Sequence, residues 1–378
     1  MLKRSLVAAL VAGFSFQVFS QVESFPIADD GLDKNYELEK VADGVSIPWG
    51  MVWLNQSELL VTDRKGELRM IKDGSLIESP ITGVPQVDAR NQGGLLDIEK
   101  HPDYANNGWL YLSYSGFEGE GDGSNTSVVR ARLDKNAMAL TDVEVIFEGA
   151  PNTDNSRHYG SRLEFDNEGY LYITVGDRGD RDNTPQRLDM DGGKVHRIHD
   201  DGRVPNDNPF VGKQDANATV YSFGHRNPQG MAKHPETGAL WAHEHGPRGG
   251  DELNKIAKGN NYGWPVISYG INYNGTSFTD MTAKEGMVQP NWQWTPSIAP
   301  SGMVFITSDN YPEWQGHMLV GSLKFGHVVL VKMDNEKITG HSKLFEGIGR
   351  VRSLSVSPDG HVYIGTDGAG IYKVIPRK

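Results

Sequence analysis

Apolar positions along this chain come in short runs, each closed by a turn signal such as NNG, NEG, ETG or PDG, and long stripes of helical period are hard to find. The run IPWGMVWL (Ile47 to Leu54) leads into SELLVTDRKGELRMI, with a turn at Lys65 and Gly66, which predicts a hairpin-like unit. Similar units return at His101 (HPDYANNGWLYLSY), Phe165 (FDNEGYLYITVGD), His234 (HPETGALWAHEHG), Tyr311 (YPEWQGHMLVGSL) and Ser357 (SPDGHVYIGTDG), making six in all. Each sets Pro, Asp, Asn or Gly in a turn ahead of a short strand rich in Leu, Val, Tyr and Trp, and each strand runs into a polar loop. A degenerate repeat built from strands predicts an all-β fold, a six-bladed β-propeller of four-stranded antiparallel blades, whose loops converge at one axial end. A pair of β-sandwiches would also show many short strands, but six look-alike units favour the propeller.

With 378 residues the chain has room for one large or two ordinary domains. No Pro/Ser-rich linker or abrupt change of composition divides it, so 21–378 reads as one domain. A formal net charge of −12 lacks the basic footprint of nucleic-acid binding and fits a neutral substrate or local cation binding. There are no cysteines, which excludes disulfides, thiolate chemistry and Cys-ligated zinc and leaves oxygen and imidazole as metal ligands. Residues 1–20 open with Lys3 and Arg4, run apolar from Leu6 to Phe19 and end at Ser20, the pattern of a cleavable secretory signal. The apolar run is short for a membrane span and ADDGLDKNYE follows, so no span is expected after cleavage. Export without cysteines points to a bacterial periplasm.

Candidate chemistry gathers in the loops. Glu244 to Pro265 (EHGPRGGDELNKIAKGNNYGWP) reads as an irregular segment in which Gly and Pro let carbonyl oxygens turn toward one point, as hard cations require, with Asp251 and Glu252 as carboxylates; a plain turn-rich loop explains it equally. Gln92 precedes Gly93 and Gly94, either in a turn or as an amide held where a ligand approaches. His158 stands just before one strand and Asp177 at the exit of the next, placed to pair as an oriented general base; a surface histidine and a turn-capping aspartate is the competing reading. Arg226 and Asn227 in GHRNPQGM suit hydrogen bonding to a carboxylate-rich ligand, or a structural tie between loops. Lys324, Arg350 and Arg352 add cations, and the two arginines, two apart on an extended run, share a face that calls for solvent or an anion. His243 and His245 are of a type that ligates transition metals, but both lie beside acids in a loop. No G-x-S-x-G, H-E-x-x-H, phosphate loop ending in GK[ST] or strand-to-helix G-x-G-x-x-G is present.

Taken together, IPWGM, NQGGLLDIEKHPDY, HYGSRLEFDNEGYLYITVGD, GHRNPQGM, EHGPRGGDELN, KGNNYGWP, SLKFG and RVRSLSVSPDGHVYIGTD, in that order from about Ile47 to the C-terminus, resemble the soluble PQQ-dependent aldose sugar dehydrogenases, relatives of soluble quinoprotein glucose dehydrogenase. The resemblance implies PQQ across the axial end, held by Gln92, Arg226, Asn227, Lys324, Arg350 and Arg352. It implies one calcium on the carbonyls of Gly246 and Pro247 and a second, structural calcium at Glu252 and Tyr262. His158 matches the base and Asp177 the acid that orients it. The implied reaction oxidises an aldose at its anomeric carbon to a lactone and passes electrons to an unknown acceptor, in a monomer or homodimer.

Three departures bear on the substrate. Ser161 stands where relatives often have Gly and is expected to narrow the approach beside His158, the stretch GDRGDRDNTPQRLDMDGG after Asp177 is unusually charged, and His245 replaces an amide of the glucose enzyme. Two other classes remain open: a non-catalytic propeller binding a protein or glycan, and a metal-dependent lactonase.

Overall fold

The computed structural model describes residues 26–377, so the expected signal segment 1–20 lies outside the described residues. Within them, 24 strands form six four-stranded antiparallel sheets, with a single helical turn at Tyr104–Asn107. The first strands of the sheets, Pro48–Trp53, Leu95–Lys100, Leu163–Phe165, Pro228–Lys233, Pro300–Phe305 and Val351–Val356, pack against one another around a central axis. The predicted six-bladed propeller is the fold.

The recurrent units of the sequence are the second strands: Glu58–Asp63, Trp109–Gly116, Leu171–Val175, Leu240–Glu244, Met318–Ser322 and Val362–Thr366. Every residue of these six strands is buried. A strand covered on both faces by neighbouring blades has no polar side to alternate with, so it reads as a continuous apolar run. The segment 244–265 is less irregular than expected: Glu244 ends a second strand, and Asp251–Lys255 is the third strand of the fourth blade.

In five blades the pairing of first with second strand shifts register near the start of the first strand, at Pro48/Gly50, Leu95/Ile98, Pro228/Gly230, Pro300/Met303 and Val351/Ser353. Bulges there bend each strand and re-aim its first side chains. In the third blade the first strand begins only at Leu163, and three residues ahead of it, His158, Gly160 and Ser161, hold positive φ of 56°, 64° and 77°. The far end of the axis holds a cavity of about 410 Å³, whose lining includes Asp97, Glu99, Arg162, Glu164 and Lys233. There Arg162 pairs with Asp97 at 2.8 Å, and burial pushes the carboxyls of Glu99 and Glu164 up to about 7 and about 8.

The ring is closed by the chain's own beginning. Strand Tyr36–Ala42 pairs with Gly370–Pro376 and becomes the outermost strand of the sixth blade, with Tyr36 opposite Pro376. Tyr36 is 3% exposed, its ring lies 4.5 Å from that of Trp314 and 5.3 Å from that of Tyr311, and its hydroxyl donates to Glu313 Oε2 at 2.6 Å. Truncation by Tyr36→Ala is expected to lower the unfolding free energy by about 3–5 kcal/mol, as for other buried aromatics, and Tyr36→Phe by only about 0.5–1.5 kcal/mol for the lost hydrogen bond. Urea denaturation checks both; equal losses would show that the hydroxyl, and not the ring, secures the seam.

Candidate active site

The loop that replaces the start of the third blade's first strand carries His158, and the end of the second strand carries Asp177. His158 Nδ1 lies 2.7 Å from Asp177 Oδ1, so the pair expected from the sequence is formed. Asp177 is 1% exposed and accepts two further donors, Gly179 N on Oδ1 at 2.7 Å and Trp264 Nε1 on Oδ2 at 2.8 Å. Burial pushes this carboxyl up, but the bond and charge of His158, with Arg226 and Gly179, outweigh it and hold it below the usual range. An ionised Asp177 only accepts, which places the proton of neutral His158 on Nδ1 and leaves Nε2 with a free lone pair. The two loops touch closely: a Cβ at Gly176 would stand 2.2 Å from the His158 carbonyl oxygen, so only glycine fits before Asp177.

Other side chains fix the backbone on both sides. Gln92 Oε1 accepts from His158 N at 2.8 Å and Asn227 Oδ1 from Gly160 N at 3.1 Å, so both amides named in the sequence reach the loop that carries the histidine. Behind Asp177, Thr184 Oγ1 donates to its carbonyl at 3.0 Å, and the buried ammonium of Lys194 donates to the carbonyls of Thr184, Pro185 and Gly192 at 2.8, 3.2 and 2.5 Å. His158, Asp177, Arg226, Pro247 and Trp264 line one cavity of about 330 Å³, with Tyr273 at its edge.

The cations named in the sequence collect at this axial end. Arg226 Nη1 donates to the carbonyls of His245 and Gly246 at 3.0 and 2.9 Å and meets no carboxylate with its guanidinium. Lys324 is exposed, 5.0 Å from the ring of Phe325, without an ion pair. Arg352 makes a two-pronged bond with Asp367 at 3.0 and 2.9 Å, and Arg350 reaches the same carboxylate at 3.4 Å. The two arginines do share a face, but the anion between them is Asp367, which no motif in the sequence singles out. Arg64, also missed, is a half-buried cation without an ion pair; burial, together with Arg352 and Arg350 nearby, lowers its pKa. Of these five cations only Arg350 and Arg352 are ion-paired, both to Asp367.

The polar groups of the 244–265 segment divide into those already filled and those left open, and Asp251 needs correction. Asp251 is not available to a cation: its Oδ1 accepts from Gly246 N at 2.9 Å and its Oδ2 from Ser297 Oγ and Ala299 N at 2.7 and 2.9 Å, so it staples the loop. That loop is tight at Gly246, where a Cβ would lie 2.3 Å from the carbonyl oxygens of Gly249 and Gly250. Glu252 pairs across the strands with Glu244, and burial followed by the charge of Glu244 raises its pKa well above normal. Asn254 donates to both carboxylates, at 3.4 and 3.2 Å, while its own buried Oδ1 has no partner. The Tyr262 hydroxyl donates to Lys255 O at 2.6 Å and its ring stacks on His225 at 4.6 Å. His243 and His245 bond the carbonyls of Ser301 and Pro300, both at 2.5 Å, and burial pushes both down to about 3. Among the described residues no cluster of three His, Asp or Glu suits a metal ion. Ser161 does not narrow the cavity, since it is fully buried with its hydroxyl on Tyr159 O and Thr126 Oγ1, at 3.2 and 3.3 Å.

Residues 45–373 match the model of the family described as Glucose / Sorbosone dehydrogenase. The chain is 40% identical to the aldose sugar dehydrogenase YliI of Escherichia coli over 346 residues, covering 90% of this chain and 93% of that one. Among solved structures it is similar to the apo-form of the soluble aldose sugar dehydrogenase of Escherichia coli, with a TM-score of 0.86 and 39% identity over 90% of this chain and 100% of that one. It is also similar to the PQQ-bound form of the aldose sugar dehydrogenase of Streptomyces coelicolor, with a TM-score of 0.74 and 27% identity over 90% and 98% of the two chains.

Burial and the guanidinium of Arg226 outweigh the bond to Asp177 and hold the His158 imidazole below its ordinary value of 6.5. Followed by the NMR shift of its Cε1 proton, His158 is expected to take up a proton only below pH 6.5, and Arg226→Met to raise the midpoint by removing a like charge. A midpoint above 6.5 in the unaltered protein would show that Asp177 dominates instead.

Proposed function

The chain belongs to the Glucose / Sorbosone dehydrogenase family, and on that premise we propose that it is a PQQ- and calcium-dependent aldose sugar dehydrogenase that oxidises the anomeric carbon to a lactone. The observation that carries the reading is a buried, oriented histidine–carboxylate pair opening into a cavity beside cations that the protein leaves largely uncompensated.

The residues fit the cofactor. PQQ carries three carboxylates, and Arg64, Arg226 and Lys324, which have no ion pair, together with Arg350 and Arg352, which share Asp367, form a site that favours a multiply charged anion. Gln92 and Asn227 spend their carbonyl oxygens on the His158 loop, which directs their NH2 groups to a ligand. The structural calcium fits at Glu252, whose buried like-charge contact with Glu244 and the orphaned Oδ1 of Asn254 make an oxygen-rich pocket, with Tyr262 beside it. The other calcium would be held by the carbonyls of Gly246 and Pro247; Arg226 donates to the first of these.

When bound, PQQ supplies the two-electron oxidant that accepts hydride from the anomeric carbon. His158 Nε2 takes the proton of the anomeric hydroxyl as the carbon–hydrogen bond breaks, and the sugar leaves as the lactone. Asp177 keeps the imidazole in the required tautomer and stabilises the imidazolium that forms. Arg226, at the cavity wall, favours the oxyanion developing on the substrate. Trp264 and Pro247 give the cavity apolar walls. A non-catalytic binding propeller has no use for the His158–Asp177 pair, and a lactonase leaves the cations without a role.

Among the described residues no helix is long and apolar enough to cross a membrane. Export through the 1–20 leader places the enzyme in the periplasm, with an aldose as substrate.

Apo-protein is expected to reduce a redox dye only when PQQ, calcium and an aldose are all added. Absence of dye reduction over a panel of sugars, with no PQQ bound at high concentration, would overturn the proposal. His158→Ala is expected to bind PQQ and lose turnover by about two orders of magnitude or more, as for loss of a general base; undiminished turnover would move the base elsewhere.

A further inference from the structure

The charged stretch after Asp177 contains one residue that behaves unlike its neighbours. Arg178 is 1% exposed, and its guanidinium donates to backbone carbonyls alone: Nη1 to Arg157, and Nη2 to Asn155 and, at 3.3 Å, to Ser124. The same group sits 3.5 Å from the centre of the Tyr159 ring. Tyr159 is itself anchored, its hydroxyl 2.7 Å from Ser124 Oγ, which donates to Asp88 Oδ2 at 2.8 Å. Burying a guanidinium without a directly paired carboxylate is costly; the three carbonyls and the ring, with the charges of Asp177 and Asp88 nearby, offset it, while Nε has no partner.

These partners all belong to, or brace, the loop of His158: Arg157 precedes the histidine, Tyr159 follows it, and Asn155 opens the turn. Asp177, adjacent to Arg178 in the chain, holds the imidazole from the other side. Both His158 and Arg178 adopt left-handed backbone, with φ of 56° and 54°. That conformation is strained for a residue with a side chain, so the loop keeps this shape only where other contacts impose it. We infer that Arg178 is a positioning residue, clamping the backbone on either side of His158 so that the imidazole stays against Asp177 and aimed into the cavity. The inference rests on His158 being the base. Lysine does not replace it, because one ammonium neither spans three carbonyls nor lies over a ring as a guanidinium does.

The test uses full-length Arg178→Lys and Arg178→Gln. Thermal unfolding shows that the variants are folded, and titration of apo-protein with PQQ in the presence of calcium reads cofactor affinity. Both variants are expected to bind PQQ within about threefold of the unaltered protein while kcat falls by about 10- to 100-fold with little change in KM, the signature of a displaced catalytic group. The downfield proton resonance of the His158–Asp177 hydrogen bond in apo-protein is expected to weaken or vanish. A folded variant with unchanged kcat and an intact resonance overturns the inference, as does a loss of kcat matched by an equal loss of PQQ affinity. If neither variant folds, Tyr159→Leu, which removes the ring beneath the guanidinium together with the hydroxyl held by Ser124, is expected to lower kcat about tenfold at unchanged PQQ affinity; no loss there overturns it too. If the unaltered protein oxidises no sugar, the proposed function fails on its own, and the resonance in Arg178→Lys still decides the role of Arg178.

Discussion

Six sheets close around an axis only when each turns its first strand inward and starts that strand at the same end. Everything at the candidate site follows from this packing, because the loops entering the first strands and leaving the second strands are then forced together. The first blade contributes Arg64, the approach to the second Gln92, the third His158 and Asp177, the fourth Arg226, the fifth Lys324 and the sixth Arg350 and Arg352. No two blades alone hold enough of these groups to bind or to react. Bulges at the starts of five first strands, and the left-handed loop in the third blade, turn a regular ring into an asymmetric pocket.

The repeat was legible because strands buried on both faces are written as apolar runs behind Gly and Asn turns. The His158–Asp177 pair was legible as well, since its members sit at the ends of neighbouring short strands, where an antiparallel turn brings them within reach. Less legible was anything that depends on a partner from another blade. Trp264 of the fourth blade meets Asp177 of the third across 87 positions of chain, and no local pattern announces the contact; Asp367 meets Arg352 within the sixth blade and was equally unannounced. Arg178 was hidden differently: among Asp and Arg neighbours it looked like solvated charge, and only its burial against Tyr159 separates it from them. Asp251 misled in the opposite direction, because a carboxylate in a Gly-rich segment resembles a cation ligand while its oxygens are filled by backbone and hydroxyl donors.

The electrostatics of the two axial ends differ in kind. At the site end Arg350 and Arg352 share Asp367 and their like charges lower the pKa of Arg64, an arrangement that a bound anion would relieve. At the far end acids crowd Arg162 and Lys233, and burial keeps protons on Glu99 and Glu164 to higher pH than usual. The overall negative charge of the chain conceals this polarity along the axis.

The seam between Tyr36–Ala42 and Gly370–Pro376 joins the two ends of the described chain in one ladder. Synthesis runs from the N-terminus, so the strand that emerges earliest has to wait for the one that emerges last. Until then the sixth sheet has only two strands and an open edge, and Arg350, Arg352 and Asp367, which sit on that same sheet, lack their final frame. Completion of the cation cluster is therefore among the latest events in the life of each new molecule, and a chain cut short by even its last strand loses the partner of its first.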